Sequence, residues 1–273
     1  MNVDASITAD TRRVKPTVKQ KVHGTERPLS LKPPPPPLPR PTAMHRALRA
    51  ARTFATYTTL AGAVGVGSFL AYHRKAEFVD FPLGADQLFR SAAYIKFNPL
   101  RNDGVHDYCV RRVPLGEIKP EYLQDAAAGK GTLVDRFAGG VWGEYGFAIQ
   151  RNLEAKKRSP ENDSDLWEPA ELKTASYQVG TRVTNHFEVL ERTPTSIAFR
   201  AGDTPLNPGI RASDGIVELS AEVKPEEGYA EFGFKCVFYR GDGPGEAFPA
   251  PVAFLHRMYT KLLVEAALRN VCK

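Results

Sequence analysis

Four polar side chains interrupt apolar patterning or sit in a loop longer than its flanking strands require: Asn185, Asp203, His256 and Tyr259. An asparagine amide can orient a carbonyl. An imidazole titrates near neutral pH and can act as a general base. A tyrosine hydroxyl on an apolar stripe can donate into a cavity, and a carboxylate can share the acid/base work. Together these groups would polarise a carbonyl and move one proton. Each also has a plain structural alternative: a satisfied core amide for Asn185, a capping or surface histidine for His256, core packing for Tyr259, and for Asp203 an Asx turn with an internal ion pair.

Harder chemistry is not written in the chain. It contains no GxSxG, HExxH, Walker A or GxGxxG pattern. Cys109, Cys236 and Cys272 are widely spaced, odd in number and form no CxxC. That spacing argues against a disulfide framework or a structural zinc site, and for a reducing compartment. Cys236 falls on an inward face and reads as an inert thiol. His106 and Asp107 are adjacent, so a strand would point them to opposite faces. His186, Glu188, Arg200 and Glu222 fall together as a charged ladder on a wet face, while Trp142 reads as a cavity wall or core anchor. No metal or cofactor is expected.

The elements that must position these groups follow from periodicity. From about Gly180 to Tyr239 the chain reads as four antiparallel strands. Val183, Asn185, Phe187 and Val189 share a face of the first; Ile197, Phe199 and Ala201 alternate in the second. Val217, Leu219, Ala221 and Val223 alternate in the third, and Phe232, Phe234, Cys236 and Phe238 in the fourth. Period-two alternation implies one buried and one wet face. Pro194-Thr195 and Pro225-Glu226-Glu227-Gly228 supply turns. The loop from Gly202 to Gly215, which carries Asp203, Arg211 and Asp214, is long enough to gate one end of a cavity or to bind an acyl carrier.

Upstream, His106 to Val113 reads as a strand, Pro120 opens a helix, and Gly129-Lys130-Gly131 ends it. A second helix is expected from about Thr132 to Lys157, with Gly139, Gly140, Gly143 and Gly146 marking a kink or a close approach. A final helix runs from about Pro251 to the C-terminus. Its apolar stripe is Phe254, Leu255, Met258, Tyr259, Leu262, Leu263 and Ala266, with His256 at the edge.

The 273-residue chain carries a net charge of +6, concentrated in its first 52 residues. No basic stripe marks the remainder, which excludes nucleic acid as a partner. Residues 1–42 read as a disordered, proline-rich leader: five consecutive prolines favour an extended spacer, or a ligand for an SH3 or WW domain. Residues 43–75 hold a hydrophobic helix. Its stretch 53–72 has no charged residue and is long enough to cross a bilayer, but is only mildly apolar, so a single membrane span and a surface helix both stand. Residues 76–104 form a connecting arm, and 105–273 the domain.

That order of strand, paired helices, antiparallel strands and long C-terminal helix resembles the helix-grip fold of the START-like, or SRPBCC, superfamily. The resemblance implies an α+β domain whose antiparallel sheet wraps on the final helix around a hydrophobic ligand. The stretches from His106 to Pro114 and from Leu255 to Leu263 also look like small fungal proteins found with secondary-metabolite genes. This second likeness implies cyclisation or release of a polyketide-like chain, for example as a pyrone, with a polyketide synthase as a partner. His256, Tyr259, Asn185 and Asp203 would then be the catalytic groups. The alternatives are a non-catalytic lipid- or sterol-binding protein tethered to a membrane through 53–72, with its domain on the cytosolic side, and an assembly scaffold working through the proline-rich leader.

Overall fold

Period-two alternation along residues 196–239 becomes three adjacent long strands in the computed structural model, which describes residues 65–273 together with Arg52 and Thr56. The leader 1–42 and most of the segment 53–72 lie outside the described residues. Residues 65–72 are helical. Among the described residues no helix is long and apolar enough to cross a membrane.

Among the described residues seven strands form one antiparallel sheet: β1 (Glu77–Val79), β2 (Val105–Pro114), β3 (Arg182–Val183), β4 (Phe187–Arg192), β5 (Ser196–Gly202), β6 (Asp214–Lys224) and β7 (Tyr229–Tyr239). Their spatial order is β1-β2-β7-β6-β5-β4-β3. Between residues 92 and 271 six α-helices accompany them: α1 (Ala92–Phe97), α2 (Pro120–Ala127), α3 (Thr132–Gly143), α4 (Ala148–Glu154), α5 (Pro169–Thr174) and α6 (Ala250–Val271). The architecture is thus α+β with a long C-terminal helix.

The sheet's inner face is apolar because every second residue of β5, β6 and β7 is. Phe199, Val217, Leu219, Phe232 and Phe234 bury there against Phe137 and Val141 of α3 and Leu263, Val264 and Ala267 of α6. Removing such side chains from water contributes roughly 1.5–3 kcal/mol each. The glycines of α3 set how closely the helices cross. A Cβ on Gly140 would strike the backbone of Ala267 in α6, and one on Gly139 would sit 2.7 Å from the Leu172 carbonyl oxygen of α5. The close approach anticipated for this glycine run is real. The single helix expected over 132–157 is not: α3 stops at Gly143, Glu144 turns extended (ψ 179°), and α4 begins at Ala148. The glycines there weaken the helix where a neighbour must come near.

Two more expectations change. The strand read from 182 to 189 is a tight hairpin, with Val183 paired to Phe187. Thr184 and Asn185 at its tip have φ of 50° and 53°. This left-handed conformation suits asparagine and ends the strand, so Asn185 does not share a strand face with Phe187. The outer face is also not uniformly wet. The arm folds back over it, and Phe81, Leu88, Phe89, Tyr94 and Phe97 bury against Ala198, Ile216, Val237 and Tyr239. Arg200, read as part of a surface ladder, is 1% exposed beneath this cover.

Candidate functional site

The sheet and α6 part near the N-terminal half of the helix and leave a cavity of about 220 Å³. Its walls are aromatic and apolar: Trp142 from α3, Phe187 from β4, Val217 from β6, Phe234 and Phe238 from β7, and Leu263 from α6. Trp142 stacks on Phe187 at 4.2 Å between ring centroids and meets Phe199 edge-on at 5.4 Å. Such rigid aromatic contacts keep a cavity open where flexible aliphatic side chains would close in.

Polar atoms of the lining residues lack partners. The Trp142 Nε1, the Tyr259 hydroxyl and the His256 Nδ1 are all buried without a hydrogen bond. Each such group left unpaired costs about 1–3 kcal/mol, and three fall on side chains that line one cavity. Burial pushes the Tyr259 hydroxyl well above its usual range, with Arg151 opposing weakly. The phenol therefore stays protonated and can donate.

His256 and Tyr259 belong to the inward side of α6 for a geometric reason. Positions 256, 259, 260, 263, 264, 267 and 271 recur at helical spacing, and the last five are all buried. The stripe drawn from sequence lies about a quarter-turn away: Phe254 and Leu255 are 61% and 64% exposed. His256 is not at the edge of the inward face but within it, its ring against Phe238 at 5.0 Å and Phe248 at 6.2 Å.

Beneath His256 lies a group that sequence reasoning set aside. Asp107 on β2 is 4% exposed and its register partner on β7 is Cys236. The Cys236 thiol donates to Asp107 Oδ1 across 3.3 Å. Asp107 Oδ2 is 3.8 Å from His256 Nδ1, too far for a hydrogen bond, and neither atom has another partner. One ligand atom from each of Asp107, Cys236 and His256 falls within 4.8 Å of the others. Burial and the neighbouring Asp107 push the Cys236 thiol well up, so without another charge nearby it stays protonated. The signal for Asp107 was present in the sequence. It shares strand parity with Cys109 and Val113, both fully buried, and parity alone points it inward.

Of the four residues singled out from sequence, the structure brings His256 and Tyr259 to the cavity and leaves two elsewhere. Asn185 sits at the hairpin tip, where its backbone N–H donates to the Asp165 carboxylate (2.8 Å) and its side-chain Oδ1 accepts from the Thr204 hydroxyl (2.6 Å). Asp203 is exposed and its carboxylate accepts the Thr204 N–H at 2.8 Å. Both are turn-holding arrangements. His186, placed on the wet face by alternation, instead lines the cavity. The hairpin tip between Val183 and Phe187 reverses the chain and so cancels the parity count.

The loop from 202 to 214 is pinned from beneath. Arg211 donates to the carbonyls of Asn207 and Asp203, both at 2.9 Å, and Arg200 donates to Pro208 (3.2 Å) and Gly209 (2.5 Å). Only its ends, Gly202 and Ser213, reach the cavity. No family model, curated protein or solved structure matches the chain.

Proposed function

We propose that residues 105–273 form a helix-grip domain of START-like type that binds a compact, largely apolar carbonyl compound and cyclises it, as in pyrone formation from a polyketide-like chain. The seven-stranded antiparallel sheet packed on a long C-terminal helix supports the architecture. The observation that carries the function is the apolar cavity lined by Trp142, Tyr259 and His256, side chains whose Nε1, hydroxyl and Nδ1 have no partner. At about 220 Å³ it is smaller than the roughly 300–1,000 Å³ usual for drug-sized ligands. That favours a short acyl chain over a sterol.

In this reading the cavity does most of its work by folding the chain so that an enol oxygen meets an ester or thioester carbonyl. Tyr259 and Trp142 donate to that carbonyl as negative charge develops on its oxygen. The enol proton passes to His256 as the carbon–oxygen bond forms, and returns to the departing thiol or alcohol as the old bond breaks. Asn185 and Asp203, proposed from sequence for carbonyl polarisation and proton transfer, stand outside the cavity and here hold turns. The part a polyketide synthase would play is to supply the acyl chain, and a membrane helix in 53–72 would place the domain near a lipid-soluble product.

The test is mass spectrometry of small molecules that co-purify with the full chain, followed by single-turnover assays on the compounds found. A short keto-acid or its thioester, turned over by the native chain and slowed by about 10²–10⁴-fold in His256→Gln, is the expected outcome. Tyr259→Phe should weaken turnover while leaving the fold as stable or more so, since it removes a buried unpaired hydroxyl. A co-purifying lipid with no turnover would replace this reading with that of a carrier.

A further inference from the structure

We propose that Asp107, Cys236 and His256 form a binding site for a single zinc ion, with its fourth position turned toward the cavity. The inference rests on the cluster's geometry; with zinc bound, His256 Nδ1 is a ligand, so the proton-transfer role proposed above belongs to the metal-free chain.

Three different elements converge on one point. Asp107 comes from β2, Cys236 from the neighbouring β7, and His256 from α6 above them. Tetrahedral zinc with bonds of about 2.3 Å to sulfur and 2.0–2.2 Å to nitrogen and oxygen separates its ligand atoms by roughly 3.3–3.7 Å. The observed separations are 3.3 Å from Cys236 Sγ to Asp107 Oδ1 and 3.8 Å from Asp107 Oδ2 to His256 Nδ1, and the group lies within 4.8 Å overall. The widest separation within the 4.8 Å cluster must close by about 1 Å to reach that range, which side-chain rotation of His256 or Asp107 can supply.

The cluster is poorly satisfied without an ion. Asp107 is 4% exposed, yet its Oδ2 has no partner, and the facing His256 Nδ1 has none. Protein interiors rarely leave a carboxylate oxygen in that state. An ion between them would satisfy both atoms at once. It would also take the proton from the Cys236 thiol, whose hydrogen bond to Asp107 is replaced by two bonds to one centre.

Charge and ligand type select the metal. A carboxylate, a thiolate and a neutral imidazole balance a divalent cation, so the apolar surroundings hold no net charge. One sulfur, one nitrogen and one oxygen donor suit zinc rather than calcium or magnesium, which take oxygen ligands. Three protein ligands leave one position open, the arrangement of zinc sites that act on a bound molecule rather than only holding a fold. Phe234 and Phe238, which flank Cys236 on the inner face, and His256 itself all line the cavity, so the open position faces the space a ligand would fill. A water or a ligand carbonyl would complete the shell.

Metal-free full-length protein titrated with Co²⁺ provides the test. Binding of about one equivalent with a thiolate-to-cobalt charge-transfer band, displaced by Zn²⁺, is expected. The band should vanish in Cys236→Ser and weaken at least tenfold in affinity in His256→Asn and Asp107→Asn. It should persist in Cys109→Ser and Cys272→Ser. Native-like circular dichroism of the Cys236→Ser protein keeps its result interpretable, and Zn²⁺ should raise the thermal midpoint of the native chain but not of that variant. No stoichiometric cobalt binding, or a band that follows Cys109 or survives Cys236→Ser, would overturn the site. Either result would leave the cavity, with His256 as its acid/base, as proposed above.

Discussion

The sheet buries two aspartates, one under each face, and treats them oppositely. On the outer face Asp214 accepts from Arg200 Nε at 3.0 Å and Nη2 at 2.6 Å, and from the Gly215 N–H at 3.0 Å. Arg200 is itself saturated by the Pro208 and Gly209 carbonyls and lies 3.7 Å above the Phe97 ring. On the inner face Asp107 has one thiol and a histidine just out of reach. The first is an ion pair with its hydrogen-bonding capacity used, closed off by the arm. The second keeps capacity in reserve beside a cavity. A buried charge that is fully partnered holds a fold together, and one left partly unpartnered is available for chemistry.

The largest effect should come from the closed pair. Asp214→Ala strands a buried guanidinium, and breaking such pairs costs about 3–5 kcal/mol. Urea denaturation should show that loss, and the loop from 202 to 214 should become protease-sensitive because Arg200 no longer anchors its carbonyls. If Asp107→Ala cost as much, the two faces would not differ in kind.

Next comes the support that sets the inner face's spacing. Gly140→Ala drives a methyl into the Ala267 backbone, and overpacking of this sort costs about 1–3 kcal/mol. Displacing α6 should also separate His256 from Asp107, so ligand binding should fall further than stability alone explains. The same substitution at Gly116, around which nothing lies within 4 Å, should change little in either measurement.

Asp107→Asn is the smaller and more pointed test. Its remaining oxygen can still accept from Cys236, and its new amide can donate to His256 Nδ1. Stability should therefore change by less than about 1 kcal/mol, while turnover drops by about tenfold or more. A fall in stability comparable to that of Asp214→Ala, without loss of turnover, would make Asp107 a second structural carboxylate.

How much of this was legible in the sequence depends on how far each feature reaches along the chain. The long strands β5, β6 and β7 were, because alternation and turn residues are local. So was the final helix, and with it His256 and Tyr259. The hairpin tip at Thr184–Asn185 was not, since a single left-handed pair leaves the hydrophobic pattern almost unchanged. Arg200 was misread because period two says which face a residue takes, not whether a distant arm will cover that face. The Asp107–Cys236–His256 cluster spans 150 residues of sequence from first to last member. Strand parity gave the inward direction of Asp107, but only the pairing of β2 with β7 puts it opposite Cys236.

The smallest effect concerns a further ionisable group, the half-buried His186, which lines the cavity. Burial depresses its pKa; Glu154 and Asp203 pull it up more weakly, while Lys157 and Arg211 add to the depression. Between its folded value and the ordinary value of about 6.5, the unfolded chain binds a proton that the folded chain does not. Stability must then rise with pH across that window and fall as the pH drops below about 6.5, levelling off once the folded imidazole also protonates. Asp135 and Asp165 cannot supply this slope. Burial raises both, so the folded state binds their protons more readily and their contribution has the opposite sign. The urea midpoint of the native chain should therefore decline from about pH 7 to about pH 5.5, and His186→Gln should flatten part of that decline. An unchanged slope in His186→Gln would mean that the imidazole is already solvated in the folded chain. In that case the cavity mouth is wet at the β3–β4 hairpin, and the inner face is less sealed than the Arg200–Asp214 side by more than one unpaired carboxylate.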